Sequence, residues 1–304
     1  MSAENRLGST NTLLKVEGLS IAFGGLKAVD DLSFEMNEGE IYGIIGPNGA
    51  GKTTAFNCIT QFYKPDNGKV LFNAKDGKMV NLVGKKPHDI IRLGLVRTFQ
   101  NVELISSLTV IENLLVGAHT AFKTGMASQI LRLPKARREE KALRLRAEQV
   151  LESLGLLHLA NFPAIMQPYG IQKRIELGRT LMLEPKLIIL DEPAAGLNDT
   201  ETHNLVQTVK DIAEKYNCGI LLIEHDMNFV SGVCQRICAI SFGKRLAIGT
   251  TDEIKANPVV QEAYLGKEES GSTGDTDTDS NVNSNNININ TDNTANEHEG
   301  MCDE

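Results

Sequence analysis

Strongly apolar strands alternating with helices place this chain among the α/β proteins, with a mostly parallel sheet. Three observations carry that reading. Ile41–Ile45, Lys186–Leu190 and Gly219–Glu224 are apolar runs of strand length, as strands covered on both faces require. Each is followed by a stretch of helical period. A block from about 101 to 183 is helical almost throughout and interrupts the sheet as an inserted subdomain.

The elements follow in order. Leu13–Val16 and Ser20–Phe23 read as short strands, and Ala28–Phe34 alternates apolar and polar residues. Glu38-Gly39-Glu40 turns into the strand Ile41–Ile45. The string G-P-N-G-A-G-K-T-T occupies Gly46 to Thr54, and a helix runs from about Lys52 to Thr60. Residues 64–68 form a turn, Lys69–Asn73 a strand, Lys86–Leu93 a helix and Leu95–Gln100 a strand. Thr109 and Glu112 have the spacing of a capping box. Pro134–Leu154, rich in Lys, Arg, Glu, Ala and Leu, is a long amphipathic helix with a solvated charged face. Helices follow over Gln172–Leu183, Thr200–Tyr216 and Met227–Val233. Ile237–Phe242 and Leu246–Gly249 form a hairpin, and helices close the fold over Thr251–Tyr264.

Past Gly266 the composition turns to Ser, Thr, Asn, Asp, Gly and Glu. Such a segment buries too little apolar surface to order itself, so 267–304 is expected to be a disordered acidic tail. From Lys267 onward there are one lysine and ten acidic residues; the rest has 30 basic and 29 acidic residues, a net of +1. A near-neutral body offers no electrostatic case for nucleic acid. Cysteines 58, 218, 234, 238 and 302 match neither a disulfide framework nor a zinc site and read as reduced thiols. Met1–Thr10 is polar, unlike a signal peptide, and no apolar run approaches the roughly 20 residues of a membrane helix.

Between a strand and a helix, G-x-x-x-x-G-K-[ST] reads as a phosphate-binding loop. Glycines let backbone N–H groups close around phosphate oxygens, and the helix N-terminus adds positive charge. Gly46, Pro47, Asn48, Gly49, Ala50, Gly51, Lys52, Thr53 and Thr54 are the expected phosphate contacts, with Lys52 reaching the β- and γ-phosphates and Thr53 holding Mg²⁺. The bland reading is a glycine turn with an incidental lysine, a string that arises by chance in roughly one such chain in a hundred.

Leu187-Ile188-Ile189-Leu190-Asp191-Glu192-Pro193 ends a buried strand in two carboxylates, a costly arrangement unless something uses them. In a nucleotide site Asp191 would hold Mg²⁺ and Glu192 would polarise the attacking water; otherwise both are solvated acids at a strand end. Gln100 could reach Mg²⁺ and the water, and His225 the γ-phosphate, although a Gln or His at a strand end is more often structural. Gln100, Asp191, Glu192 and His225 would share the carboxyl edge of the sheet, where open α/β sheets bind ligands. Phe23 could stack on a base, core packing being the commoner use of such a residue.

Taken together, G-P-N-G-A-G-K-T-T, R-T-F-Q (97–100), L-D-E-P-A-A-G-L-N (190–198) and L-L-I-E-H-D (221–226) resemble the nucleotide-binding subunit of an ABC transporter over about residues 12–266. T-V-I-E-N-L-L-V-G (109–117), A-A-G-L-N (194–198) and E-A-Y-L-G (262–266) resemble the branch serving high-affinity branched-chain amino acid uptake. The resemblance implies a P-loop NTPase core with an N-terminal antiparallel β-subdomain and an inserted α-helical subdomain. It implies ATP and Mg²⁺ as ligands and ATP hydrolysis as the reaction. Two such subunits would close head to tail on two ATP molecules and drive two transmembrane permease subunits served by a substrate-binding protein, at the cytoplasmic face of the membrane. It moves Phe23 to adenine stacking, and gives Gln100 to Mg²⁺ and the permease, Asp191 to the metal, Glu192 to the base and His225 to the switch. Tyr169, Gly170, Gly196, Leu197 and Asn198 fall on segments that cross to the second subunit.

One departure stands out. The branch's L-S-Y-G-Q signature is here Gln167-Pro168-Tyr169-Gly170-Ile171, followed by a fitting Gln172-Lys173-Arg174. Pro168 replaces a serine hydroxyl and lacks an N–H, and Ile171 replaces a polar residue. The expectation is a chain competent at its own phosphate loop that completes its partner's site poorly; a heterodimer would then have one strong and one weak site, and a homodimer stays open as the other arrangement. Two other readings stay open: a nucleotide-binding structural subunit with weakened catalysis, and a soluble ABC ATPase unconnected to transport. Intact Glu192 and His225 weigh against the first. Against the second, DNA-repair relatives carry long coiled-coil insertions and ribosome-acting ones two such domains, and this chain has neither.

Overall fold

The computed structural model describes residues 12–98, 103–118 and 134–265. The expectations for Gln100 and for the tail past Gly266 lie outside the described residues.

Two sheets organise these residues. A four-stranded antiparallel sheet has the order β2 (Leu26–Asn37), β1 (Thr12–Phe23), β4 (Asn67–Asn73), β5 (Met79–Asn81). A six-stranded sheet has the order β10 (Lys244–Gly249), β9 (Arg236–Ser241), β3 (Ile41–Ile45), β8 (Gly219–Ile223), β7 (Leu187–Asp191), β6 (Leu95–Arg97). All its pairings are parallel except the β9–β10 hairpin. The two short strands expected before residue 24 are one bulged strand. Its register shifts around Gly18, whose φ of 60° is cheap only for glycine. The exposed β5 was not foreseen, because Met79–Asn81 is too short to show a period.

Helices α1 (Lys52–Ile59) and α2 (Pro87–Leu93) follow the phosphate loop and the small sheet. The inserted block holds α3 (Val110–Gly117), α4 (Pro134–Ser153) and α5 (Tyr169–Leu181). The Thr109–Glu112 capping box is present in full, with both reciprocal bonds made. Then come α6 (Asp199–Tyr216), α7 (Met227–Val233), α8 (Thr251–Ala256) and α9 (Pro258–Leu265).

Period-two alternation divides the parallel strands between two cores. Ile41, Ile45, Ile188, Leu190, Ile220 and Leu222 pack toward the inserted helices, α6 and α7. Tyr42, Ile44, Leu187, Ile189, Leu221 and Ile223 pack toward α1 and the small sheet. Both faces are covered, which is why these strands read as unbroken apolar runs. Because β3, β6, β7, β8 and β9 run the same way, their carboxyl ends share one edge. The phosphate loop, Asp191, Glu192 and His225 gather there.

Candidate nucleotide site

The loop Gly46–Thr54 leaves β3 at this edge and feeds α1. Gly49 and Gly51 have φ of 78° and 96°, a region that side chains rarely adopt. At Gly46 and Gly51 a Cβ would come within 2.2 Å of the backbone oxygens of Ile240 and Ala28, respectively. These glycines let the loop lie flat against neighbouring backbone with its concave side open.

Lys52 is buried at the start of α1, and its Nζ donates to the carbonyls of Gly46 (2.6 Å) and Pro47 (3.0 Å). Burial pushes this ammonium below the ordinary lysine range, while Glu192 and Asp191 draw it back up. Loop residues 48–54, Glu192 and Phe23 line one cleft of about 480 Å³, a volume suited to a small ligand. Phe23 is 48% exposed and meets Tyr63 edge-on at 5.4 Å, so the core-packing alternative is overturned.

Asp191 ends β7 and is buried. Arg97 at the end of β6 donates to its carboxylate (2.5 Å) and to Asn57 Oδ1 (2.6 Å), with its guanidinium over the Phe62 ring. Glu192 follows with φ 47°, left-handed for a residue with a side chain, and its N–H donates to Ile223 O (3.0 Å). Strained backbone of this kind persists where the surroundings over-determine it. Here the end of β8 provides the hold: Glu224, wholly buried, accepts from the N–H groups of Ala194 (2.7 Å) and His225 (3.1 Å). Burial raises the Glu224 carboxyl above the ordinary glutamate range, against those hydrogen bonds. Lys173 of α5 clamps the other side, donating to Pro193 O (2.8 Å), with its ammonium 5.3 Å from the Tyr169 ring centre.

Arg97, Glu224 and Lys173 were not singled out from the sequence, although each sits within a motif string. Only the Glu at the end of a buried strand, the same oddity as Asp191-Glu192, could have signalled Glu224.

His225 is mostly exposed at the same edge, its Nδ1 3.7 Å from Glu224 Oε2, and is not in the cleft wall. Tyr169, Gly170, Gly196, Leu197 and Asn198 also stand outside the cleft, but beside one another. A Cβ on Gly196 would lie 3.2 Å from the Tyr169 ring, and one on Gly170 2.8 Å from Glu201 Oε1. Asn198 caps α6, exchanging bonds with Glu201. The helix expected from Gln172 begins at Tyr169 with Pro168 as its N-cap. The proline therefore lies ahead of the first-turn donors of Tyr169 and Gly170, and what it removes is the side-chain hydroxyl. Ile171, half-buried, packs against the core.

Thr53 lines the cleft, and Asp191 is near enough to act on the charge of Lys52. Their oxygens would suit an ion such as Mg²⁺ that keeps its waters and phosphate oxygens, with one Asp191 oxygen already held by Arg97.

The family model described as "ABC transporter" matches residues 29–195, and that of "Branched-chain amino acid ATP-binding cassette transporter" matches 244–270. The chain is 47% identical over 255 residues to the high-affinity branched-chain amino acid transport ATP-binding protein LivG of Salmonella typhimurium, covering 84% of this chain and 98% of that one. BraF of Pseudomonas aeruginosa, similarly described, is 41% identical over the same shares. Among solved structures, the ADP conformation of MJ1267, an ATP-binding cassette of an ABC transporter, matches with a TM-score of 0.72 and 33% identity, over 85% of this chain and all of that one.

Proposed function

The chain belongs to the ABC transporter family of ATP-binding proteins and is an ATPase coupled to transport; from that premise we propose that it powers the import of branched-chain amino acids. The single observation that carries the site assignment is the shared cleft of Lys52, the phosphate loop and Glu192. The solute follows from the relatives' names and from the match at residues 244–270.

In this reading the loop N–H groups and Lys52 receive the ATP phosphates, and the buried Lys52 ammonium, held by the Gly46 and Pro47 carbonyls, gains a closer anionic partner from the ligand. Phe23 stacks on adenine. Thr53, Asp191 and Gln100 would hold Mg²⁺, which supplies charge neutralisation at the phosphates. Glu192 takes the proton of the attacking water, and the turn after β7, held by Ile223, Glu224 and Lys173, keeps its carboxylate aimed. His225 meets the γ-phosphate on closure. Tyr169, Gly170, Gly196, Leu197 and Asn198 form a contiguous face for a second ATP-binding subunit. Closure on ATP and opening after hydrolysis would move two permease subunits between inward- and outward-facing states, with a substrate-binding protein delivering the solute. Residues 12–266 form the ATP-binding domain of this assembly.

The test is Glu192→Gln in the reconstituted complex. A lost general base lowers turnover about 100-fold or more while ATP binding persists. Unchanged turnover would remove Glu192 from the mechanism. Copurification of the chain with permease subunits from membranes checks the assembly.

A further inference from the structure

A second aromatic residue stands in the wall of the nucleotide cleft. Phe242 and Gly243 are the two residues between β9 and β10, where Ser241 pairs with Lys244. Both have positive φ, 47° and 75°. This is the two-residue turn that proteins build from Asn-Gly or Asp-Gly. At positive φ a β-carbon crowds the backbone; glycine has none, and short Asn or Asp side chains offset the clash by hydrogen-bonding nearby backbone, which a phenylalanine ring does not do. This chain puts phenylalanine there and leaves it 74% exposed. The residue thus carries a backbone cost and forgoes most of the burial gain of an aromatic ring.

The turn is also fixed in place. Because β9 runs parallel to β3, it lies at the ligand edge of the sheet. Gly243 N–H donates to Ala50 O of the phosphate loop, and Asp30 N–H donates to Gly243 O, both at 2.9 Å. A Cβ on Gly243 would lie 2.8 Å from Ala28 O, so only glycine lets the turn seat this closely on β2. The ring is presented from a rigid mount beside the loop that receives phosphates, in the same cleft as Phe23 and Leu26. An apolar ring has nothing to offer a phosphate, but it suits the base and ribose.

We propose that Phe242 is a second aromatic contact for the nucleoside half of the bound nucleotide, adding affinity for ADP and ATP beyond what Phe23 supplies. The inference rests on the reading of the cleft as a nucleotide site.

Phe242→Asn tests it, since asparagine suits the turn better and the variant should melt no lower than wild type. Binding of ADP and of inorganic tripolyphosphate is measured on the full-length chain with Mg²⁺. In Phe242→Asn the Kd for ADP rises about five- to tenfold, as for a lost base–aromatic contact, and that for tripolyphosphate stays within about twofold. Phe242→Tyr, which keeps the ring, retains ADP affinity. An unchanged Kd for ADP in Phe242→Asn overturns the proposal, and so does an equal loss for both probes, which would make the ring a prop for the loop. Lys52→Ala separates the two readings: it weakens both probes if the cleft binds nucleotide, and if it weakens neither, the nucleotide reading itself fails.

Discussion

At the scale of single residues, the site is held by buried charges that each need a particular partner. Arg97 is the partner of Asp191, and the pair is nearly out of solvent. Replacing a buried ion pair by apolar residues is often tolerated, but removing one member strands the other. Arg97→Ala is therefore expected to cost about 3 kcal/mol in urea unfolding. A loss below about 1 kcal/mol would mean that water already screens this carboxylate. Glu224 behaves differently, because burial raises its carboxyl above the ordinary value near 4.5. The folded chain then binds this proton more tightly than the unfolded chain, so the stabilisation is present at low pH and is lost as pH rises through the raised value. Measured against Glu224→Gln, which does not titrate, wild-type stability should fall as pH climbs from about 4.5 toward neutrality. A difference that is flat with pH would place Glu224 in ordinary solvation. Neither residue announced itself in the sequence, since an Arg before Thr-Phe-Gln and a Glu before His-Asp look like surface charges until the strands align.

The elements show the same division between local and distant causes. Thr109–Glu112 was legible as a helix start because a capping box needs only four consecutive residues. The start of α5 was misplaced by three residues, because a proline N-cap without a capping side chain gives no local signal. That helix start is where the heterodimer reading is decided. Pro168→Ser with Ile171→Gln restores the polar pattern ahead of Tyr169 and Gly170, and is expected to raise ATP turnover by the reconstituted complex. Ile171 packs on the core, so the double variant also loses some stability, and Pro168→Ser alone separates the two effects. Equal turnover in wild type and both variants would show that the altered signature is no defect.

Across the whole molecule, one sheet with both faces covered explains the thiols as well as the site. Cys58, Cys218, Cys234 and Cys238 are free and buried. Burial pushes Cys58 up to about 11 and Cys218 and Cys238 up to about 12, and raises Cys234 as well. Thiolate is the reactive form, so native protein at pH 8 should resist iodoacetamide at these four positions and react there only after unfolding, as read by mass spectrometry of tryptic peptides. Rapid labelling of any of the four would reveal local opening of the core. The sequence by itself determined the fold class, the phosphate loop and the order of the chemical strings, because strand burial, glycine loops and helix caps are written in neighbouring residues. Only the tertiary structure decided that Phe23 faces the cleft and that Arg97 holds Asp191. It also decided that Glu224 and Lys173 brace the strained turn at Glu192, and that Phe242 stands beside the phosphate loop. These contacts join residues tens to hundreds of positions apart, and parallel strand pairing, which no local pattern encodes, is what brings them to one edge.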